Sequence, residues 1–220
     1  MADFTTARRM MVDGQIRTND VTDPRIIAAF LAVPRELFVA RPKSALAYLD
    51  IDVPAADGAG ARCLLKPMVL AKLIQALDLG EAEQVLVIGC GSGYSAAILA
   101  GIAGSVVALE EDKALATQAG RLVAELGLSN VETVNGTLSA GWPARAPYDA
   151  VLIDGAIEDM PQALTRQLRE GGRIACVRRD GGASKAVLYR CGNGDVSVRP
   201  VFDAGAPLLP GFARKPAFVF

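Results

Sequence analysis

Residues 85–109 read VLVIGCGSGYSAAILAGIAGSVVAL, twenty-five residues without one charged side chain. An uninterrupted apolar run of that length spans a bilayer as a helix. Five glycines and three serines interrupt this one, and the cluster GCGSG separates a β-branched run from a helix-like one. The segment is therefore expected to fold as a buried strand, a glycine turn, a helix and a second strand, with no membrane partner. The same alternation continues downstream. Strands are expected at 84–88, 105–109, 131–134, 149–153 and 172–177, and helices at 92–102, 113–126 and 160–169. This predicts an α/β fold with a mostly parallel, doubly wound sheet, because parallel neighbours need crossovers and the crossovers cover its faces. After Gly181 and Gly182, SKAVLYRC and DVSVRPVFDA joined by GNGD predict an antiparallel hairpin added to one edge.

Upstream, residues 5–40 read as helical. Asp23 caps a helix, Pro24 suits its first turn, and Ile26, Ile27, Phe30 and Leu31 form an apolar stripe that ends at Pro34. Residues 40–66 are irregular, with Pro42, Pro54 and a turn around Asp57 to Gly60, and a further helix runs from Pro67 to a glycine stop at Gly80. The chain is expected to form one domain over 1–220: a helical and loop extension (1–66), a cofactor-binding α/β core (67–180), and a β hairpin with a tail (181–220). The first residues carry Arg8 and Arg9 but then Asp13 and Gln15, which break the apolar stretch a secretory segment needs. The tail APLLPGFARKPAFVF could close the sheet edge, cover a site or meet a partner.

The 220 residues contain no histidine. That excludes Ser/His/Asp and Cys/His relays, imidazole bases and histidine-ligated zinc. A net charge of -1 leaves no positive field for nucleic acid. Arg166, Arg169, Arg173, Arg178 and Arg179 lie close in sequence and read as a solvated face. Cys63, Cys90, Cys176 and Cys191 show no C-x-x-C spacing, which fits reduced thiols packed as small apolar residues in a cytoplasmic protein and implies no metal.

Gly89-Cys90-Gly91-Ser92-Gly93 follows the strand VLVI and opens the helix YSAAILA. A turn at this place aims backbone N–H groups at the carboxyl ends of the strands and lets a ligand approach closely. The dinucleotide spacing G-x-G-x-x-G wants its third glycine at residue 94, which is Tyr94. The G-x-G-x-G form is instead typical of methyltransferases that use S-adenosylmethionine. Glu110 stands 21 residues after Gly89, at the end of the next strand, where an acid can accept from ribose hydroxyls; Glu111 and Asp112 are alternatives. A turn that binds nothing would carry three glycines at an uncompensated entropic cost.

The segments RRMMVDGQIR, DPRIIAAFLAVPRELFV, AYLD, VLVIGCGSGYSAAILA, VVALEED, GWPARAPYDAVLIDGA and LREGGRIACV together resemble the protein-L-isoaspartate O-methyltransferase family over most of the chain. The resemblance implies a Rossmann-like class I fold. It also implies methyl transfer from S-adenosylmethionine to the side-chain carboxylate of isoaspartyl residues in damaged proteins or peptides, for repair. Such chemistry needs no histidine, because the acceptor is already ionised and catalysis reduces to positioning and desolvation. The expected cofactor set is Gly89, Cys90, Gly91, Ser92, Gly93, Glu110, Glu111, Thr137 and Leu138, together with Asp154, which stands where the family usually has a small or hydroxyl residue; no catalytic residue is assigned.

Three positions depart from the family pattern. Leu65 replaces the serine of Thr-Ile-Ser-x-Pro, Val87 replaces an acid two residues before the first glycine, and Gly136-Thr137-Leu138 replaces Gly-Asp-Gly. Either other groups supply these contacts, Asp154 and Lys66 being nearest, or the chain is a silent cofactor-binding homologue or serves another carboxylate acceptor. Asp154 itself reads either as a strand-end acid reaching the cofactor's charged end or as an exposed loop acid.

Overall fold

The computed structural model describes residues 3–56, 62–192 and 194–214. The turn expected around Asp57 to Gly60, Asn193 of the GNGD turn and the tail beyond Arg214 lie outside them. In chain order the helices are α1 (Phe4–Met11), α2 (Pro24–Ala32), α3 (Pro67–Leu77), α4 (Tyr94–Ala100), α5 (Lys113–Glu125) and α6 (Gln162–Thr165). The strands are β1 (Val53–Pro54), β2 (Cys63–Leu64), β3 (Gln84–Ile88), β4 (Ser105–Glu110), β5 (Val131–Asn135), β6 (Tyr148–Ile157), β7 (Leu168–Asp180), β8 (Ala183–Gly192) and β9 (Asp195–Asp203).

The uncharged run divides into β3, the glycine turn, α4 and β4. Seven strands form one Rossmann-like sheet in the order β5-β4-β3-β6-β7-β8-β9, parallel from β5 to β7 and antiparallel from β7 to β9. The small pair β1 and β2 stands apart, antiparallel, in the N-terminal extension. Strand alternation divides the core. Val85, Val87, Ala150, Leu152 and Ala175 face a cluster that takes in Phe30 of α2, Leu70 of α3, Ile98 of α4 and Leu115 of α5. Leu86, Ile88, Val151, Ile153 and Ile174 face a second cluster closed by Leu138, Leu164, Leu209 and Phe212.

That second face is covered mostly without long helices. The helix expected at 160–169 is the single turn α6, because Leu168 already begins β7, and the described part of the tail takes its place. Leu208 bridges to Ala156, the Leu209 amide donates to the Ala156 carbonyl at 2.9 Å, and Phe212 is buried. Gly155 permits this approach, since a Cβ there would stand 2.6 Å from Leu209.

Other expectations shift at their edges. Helix α3 ends at Leu77, where Asp78 turns left-handed (φ 51°) and ends the helix before Gly80. Ser92 and Gly93 belong to the turn, so α4 starts at Tyr94. The arginine group is not wholly solvated. Arg173 is buried, donates to the carbonyls of Leu77 and Asp78 at the end of α3, and pairs with Glu83 at 2.6 Å.

Candidate functional site

The turn after β3 is built on positive φ: 76° at Gly89, 56° at Gly91 and 99° at Gly93. A side chain strains this region, and at Gly93 a Cβ would also lie 3.1 Å from the Ala119 Cβ in α5. The loop is pinned in place. The Gly89 and Cys90 amides donate to the Leu109 carbonyl at 2.9 and 3.2 Å, and the Gly91 amide donates to the Glu110 carboxylate at 2.8 Å. The Ser92 hydroxyl donates to the Phe38 carbonyl, so it ties the turn to the N-terminal extension. Cys90 is buried, and desolvation, followed by the Glu110 and Asp154 charges, pushes its thiol well up, which leaves it inert as a nucleophile.

Glu110 ends β4 fully buried. Its Oε1 accepts from Arg62 Nε and Nη2 at 3.0 and 2.9 Å and from the amides of Glu111 and Asp112 at 2.8 and 3.0 Å. Its Oε2 accepts from Gly91. A buried carboxylate left unpaired costs several kcal/mol, and here an arginine 48 residues away plus three amides satisfy it.

Asp154 lies inside β6, which outruns the strand expected at 149–153. Pairing with β3 stops at Ile153, and between Leu152 and Ala156 the register against β7 slips: four steps along β6 match the two from Ala175 to Val177. Bulges of this kind re-aim side chains. Asp154 is only 8% exposed and its Oδ1 makes no hydrogen bond. It is thus a buried acid and not a loop acid at the surface.

Among the described residues six further side-chain polar atoms are buried without a hydrogen bond, four of them being Arg35 Nη1, Arg62 Nη1, Tyr94 Oη and the Ser95 hydroxyl, which lies beside Asp154. Arg35 is fully buried, donates to the carbonyls of Ala47 at 2.7 Å and Leu65 at 2.8 Å, and stacks 4.7 Å over the Tyr94 ring. Burial pushes the Asp154 carboxyl up to about 6; Ser95, Arg35 and Arg62 oppose that rise and Glu110 adds to it. A buried carboxylate and unsatisfied donors close enough to act on it thus lie in one region beside the glycine turn.

The remaining candidates lie around this centre. Glu111 is exposed, and Asp112 serves as N-cap of α5 through the amides of Ala114 and Leu115. Thr137 is exposed after β5, whereas Leu138 is buried, with Cδ1 3.8 Å from where a Gly89 Cβ would stand. Val87 is sealed in the sheet. Leu65 is 1% exposed, and its carbonyl anchors Arg35. Lys66 is half-buried, its amide held by Asp52 at 2.9 Å. Sequence reasoning missed Arg62, whose partner is remote, and noted Arg35 only within VPRELFV.

The family model for protein-L-isoaspartate(D-aspartate) O-methyltransferase matches residues 6–202. Protein-L-isoaspartate O-methyltransferase 1 of Rhodopseudomonas palustris (strain HaA2) is 41% identical over 202 residues, 91% of this chain and 81% of that protein. The Methanoregula boonei protein-L-isoaspartate O-methyltransferase is 41% identical over 167 residues, 76% of each chain. A solved protein-L-isoaspartate O-methyltransferase superposes with a TM-score of 0.83 at 27% identity, covering 93% of this chain and 66% of that one. A Plasmodium falciparum protein crystallised with S-adenosyl-L-homocysteine shares the fold, with a TM-score of 0.76 at 16% identity over 95% of this chain and 99% of its own.

Proposed function

Since the chain belongs to the protein-L-isoaspartate(D-aspartate) O-methyltransferase family, we propose that it methylates the side-chain carboxylate of isoaspartyl residues in damaged proteins, with S-adenosylmethionine as donor. The observation that carries this reading is the glycine turn at the carboxyl ends of β3, β4 and β6. Three positive-φ glycines open the backbone there, beside two buried carboxylates. When bound, the cofactor supplies an electrophilic methyl group on a sulfonium.

The backbone of Gly89, Cys90, Gly91, Ser92 and Gly93 would lie along it, Glu110 would meet the ribose, and Thr137 and Leu138 would flank the adenine, with Glu111 at the rim. The Ser92 hydroxyl is already committed to Phe38, so this residue would contribute its backbone. Glu110 Oε2 accepts only from the Gly91 amide and keeps capacity for a ribose hydroxyl, but the carboxylate is fully buried, so access would require the Arg62 guanidinium, its one side-chain donor, to move aside. The chain has no histidine to serve as a base, and the reaction asks for no base: an isoaspartyl carboxylate is ionised at neutral pH, so the chain's task is to hold it in line and exclude water. Leu65 brings no hydroxyl to that task. The reading includes a cytoplasmic setting, which the four free cysteines support.

Calorimetry with S-adenosylhomocysteine, followed by methyl transfer to an isoaspartyl peptide, tests the proposal. Saturable binding and a base-labile methyl ester are expected. A folded protein that binds neither cofactor form overturns it. Binding without transfer would instead identify a silent homologue.

A further inference from the structure

We propose that Asp154 is the seat of the cofactor's α-ammonium group, a role that rests on the methyltransferase reading and extends it to a position of this chain's own. Three independent observations meet at this side chain. It is an acid more than nine-tenths buried, and its Oδ1 carries no hydrogen bond although a serine hydroxyl lies beside it. A protein does not leave a buried carboxylate oxygen unsatisfied without cost, and such an oxygen is the complement of a cation that arrives with its own hydrogens. The backbone is also shaped to present it. The slip between Leu152 and Ala156 falls on this residue, one step past the last pairing of β6 with β3. Asp154 thus follows directly on the last residue of β6 paired with β3, as Gly89, the first residue of the turn, follows on the last paired residue of β3.

The surroundings select the ligand's chemistry. Arg35 and Arg62, both near enough to act on Asp154, each keep a buried Nη1 without a hydrogen bond, so free donors stand near a free acceptor. A group carrying one positive and one negative end, as an amino acid does, matches both; a simple cation matches only the acid. The titratable and charged groups facing Asp154 are Arg35 of the N-terminal extension, Arg62 before β2, Cys90 of the turn and Glu110 of β4, and Ser95 of α4 lies beside it. Their balance leaves the carboxyl easier to protonate than an ordinary aspartate, so an incoming ammonium completes its ionisation and a proton leaves on binding.

Affinities of wild type and D154N for three ligands test the assignment: S-adenosylmethionine, S-adenosylhomocysteine and 5′-methylthioadenosine, which lacks the amino-acid end. A charge-assisted hydrogen bond predicts a ten- to hundredfold loss for both amino-acid-bearing ligands and less than a threefold change for methylthioadenosine. Wild type should release a proton on binding S-adenosylhomocysteine near pH 6, and D154N should not. Equal weakening for all three ligands overturns the assignment, and a loss confined to S-adenosylmethionine overturns it in favour of the sulfonium. Failure of wild type to bind any of the three refutes the methyltransferase reading itself, so the two failures are distinguishable.

Discussion

Replacing Asp154 with asparagine separates what the residue costs the fold from what it gives the ligand. Its carboxyl rises from 3.8 to about 6 on folding, first through desolvation. Between those values the native state holds a proton that the unfolded chain has released. Stability therefore falls as pH rises through this window, and the loss is complete above the folded value. A shift of about two units corresponds to about 3 kcal/mol. Asparagine does not titrate, and the cost of burying its amide is the same at every pH, so it cancels when pH values are compared. Urea unfolding of ligand-free wild type and D154N from pH 4 to pH 7.5 should show the variant gaining about 3 kcal/mol on wild type across the series. In a chain of this length that is roughly 6–12 °C in Tm. Saturating S-adenosylhomocysteine at pH 7.5 should shift the balance back toward wild type by about 1.4–2.7 kcal/mol, the equivalent of ten- to hundredfold weaker binding by the variant. Stability curves that run parallel for the two proteins would refute the reasoning.

Other perturbations test neighbouring parts of the account. R62A removes two hydrogen bonds from buried Glu110 and leaves three amides in place, so unfolding should show a loss of about 2–4 kcal/mol; less than 1 kcal/mol would mean that the amides suffice. G93A combines a φ of 99° with a 3.1 Å approach to Ala119 and should cost about 2 kcal/mol or more while weakening S-adenosylhomocysteine binding, both readable in one thermal-shift series. G155A drives a methyl group into Leu209, which would stand 2.6 Å away, and should loosen the tail without unfolding the sheet. Limited proteolysis should then cut within 204–214 while far-ultraviolet circular dichroism stays at the wild-type level; a protected tail would count against its packing role.

Much of the scaffold could be read from local pattern. Strands buried on both faces appear as continuous apolar runs, so β3 and β4 were visible, and the glycine spacing placed the turn because positive φ admits few other residues. What stayed hidden depends on partners distant in sequence. Strand β6 outruns its expected end because the tail pairs with Ala156, and α6 shrinks because the same tail covers that face. Asp78 ends α3 where glycine was expected, with Arg173, 95 residues on, binding its carbonyl. At the site, Glu110 was recognisable by its place in the motif, but its pairing with Arg62 was not, since nothing local marks an arginine beside an irregular loop as an ion-pair partner. Asp154 could be singled out as an acid near a strand end. Only the folded chain shows that it is buried, sits at a bulge and keeps an oxygen without a hydrogen bond.

The most direct measurement of the central claim compares two synthetic peptides of identical sequence, one with an isoaspartyl and one with a normal aspartyl linkage. Each is incubated with the protein and S-adenosylmethionine and followed by mass spectrometry. The account predicts a single methyl added to the isoaspartyl peptide, lost as methanol when the ester closes to the succinimide, and no change in its partner. No methylation of either peptide by protein shown to bind S-adenosylmethionine, or equal methylation of both, would contradict it.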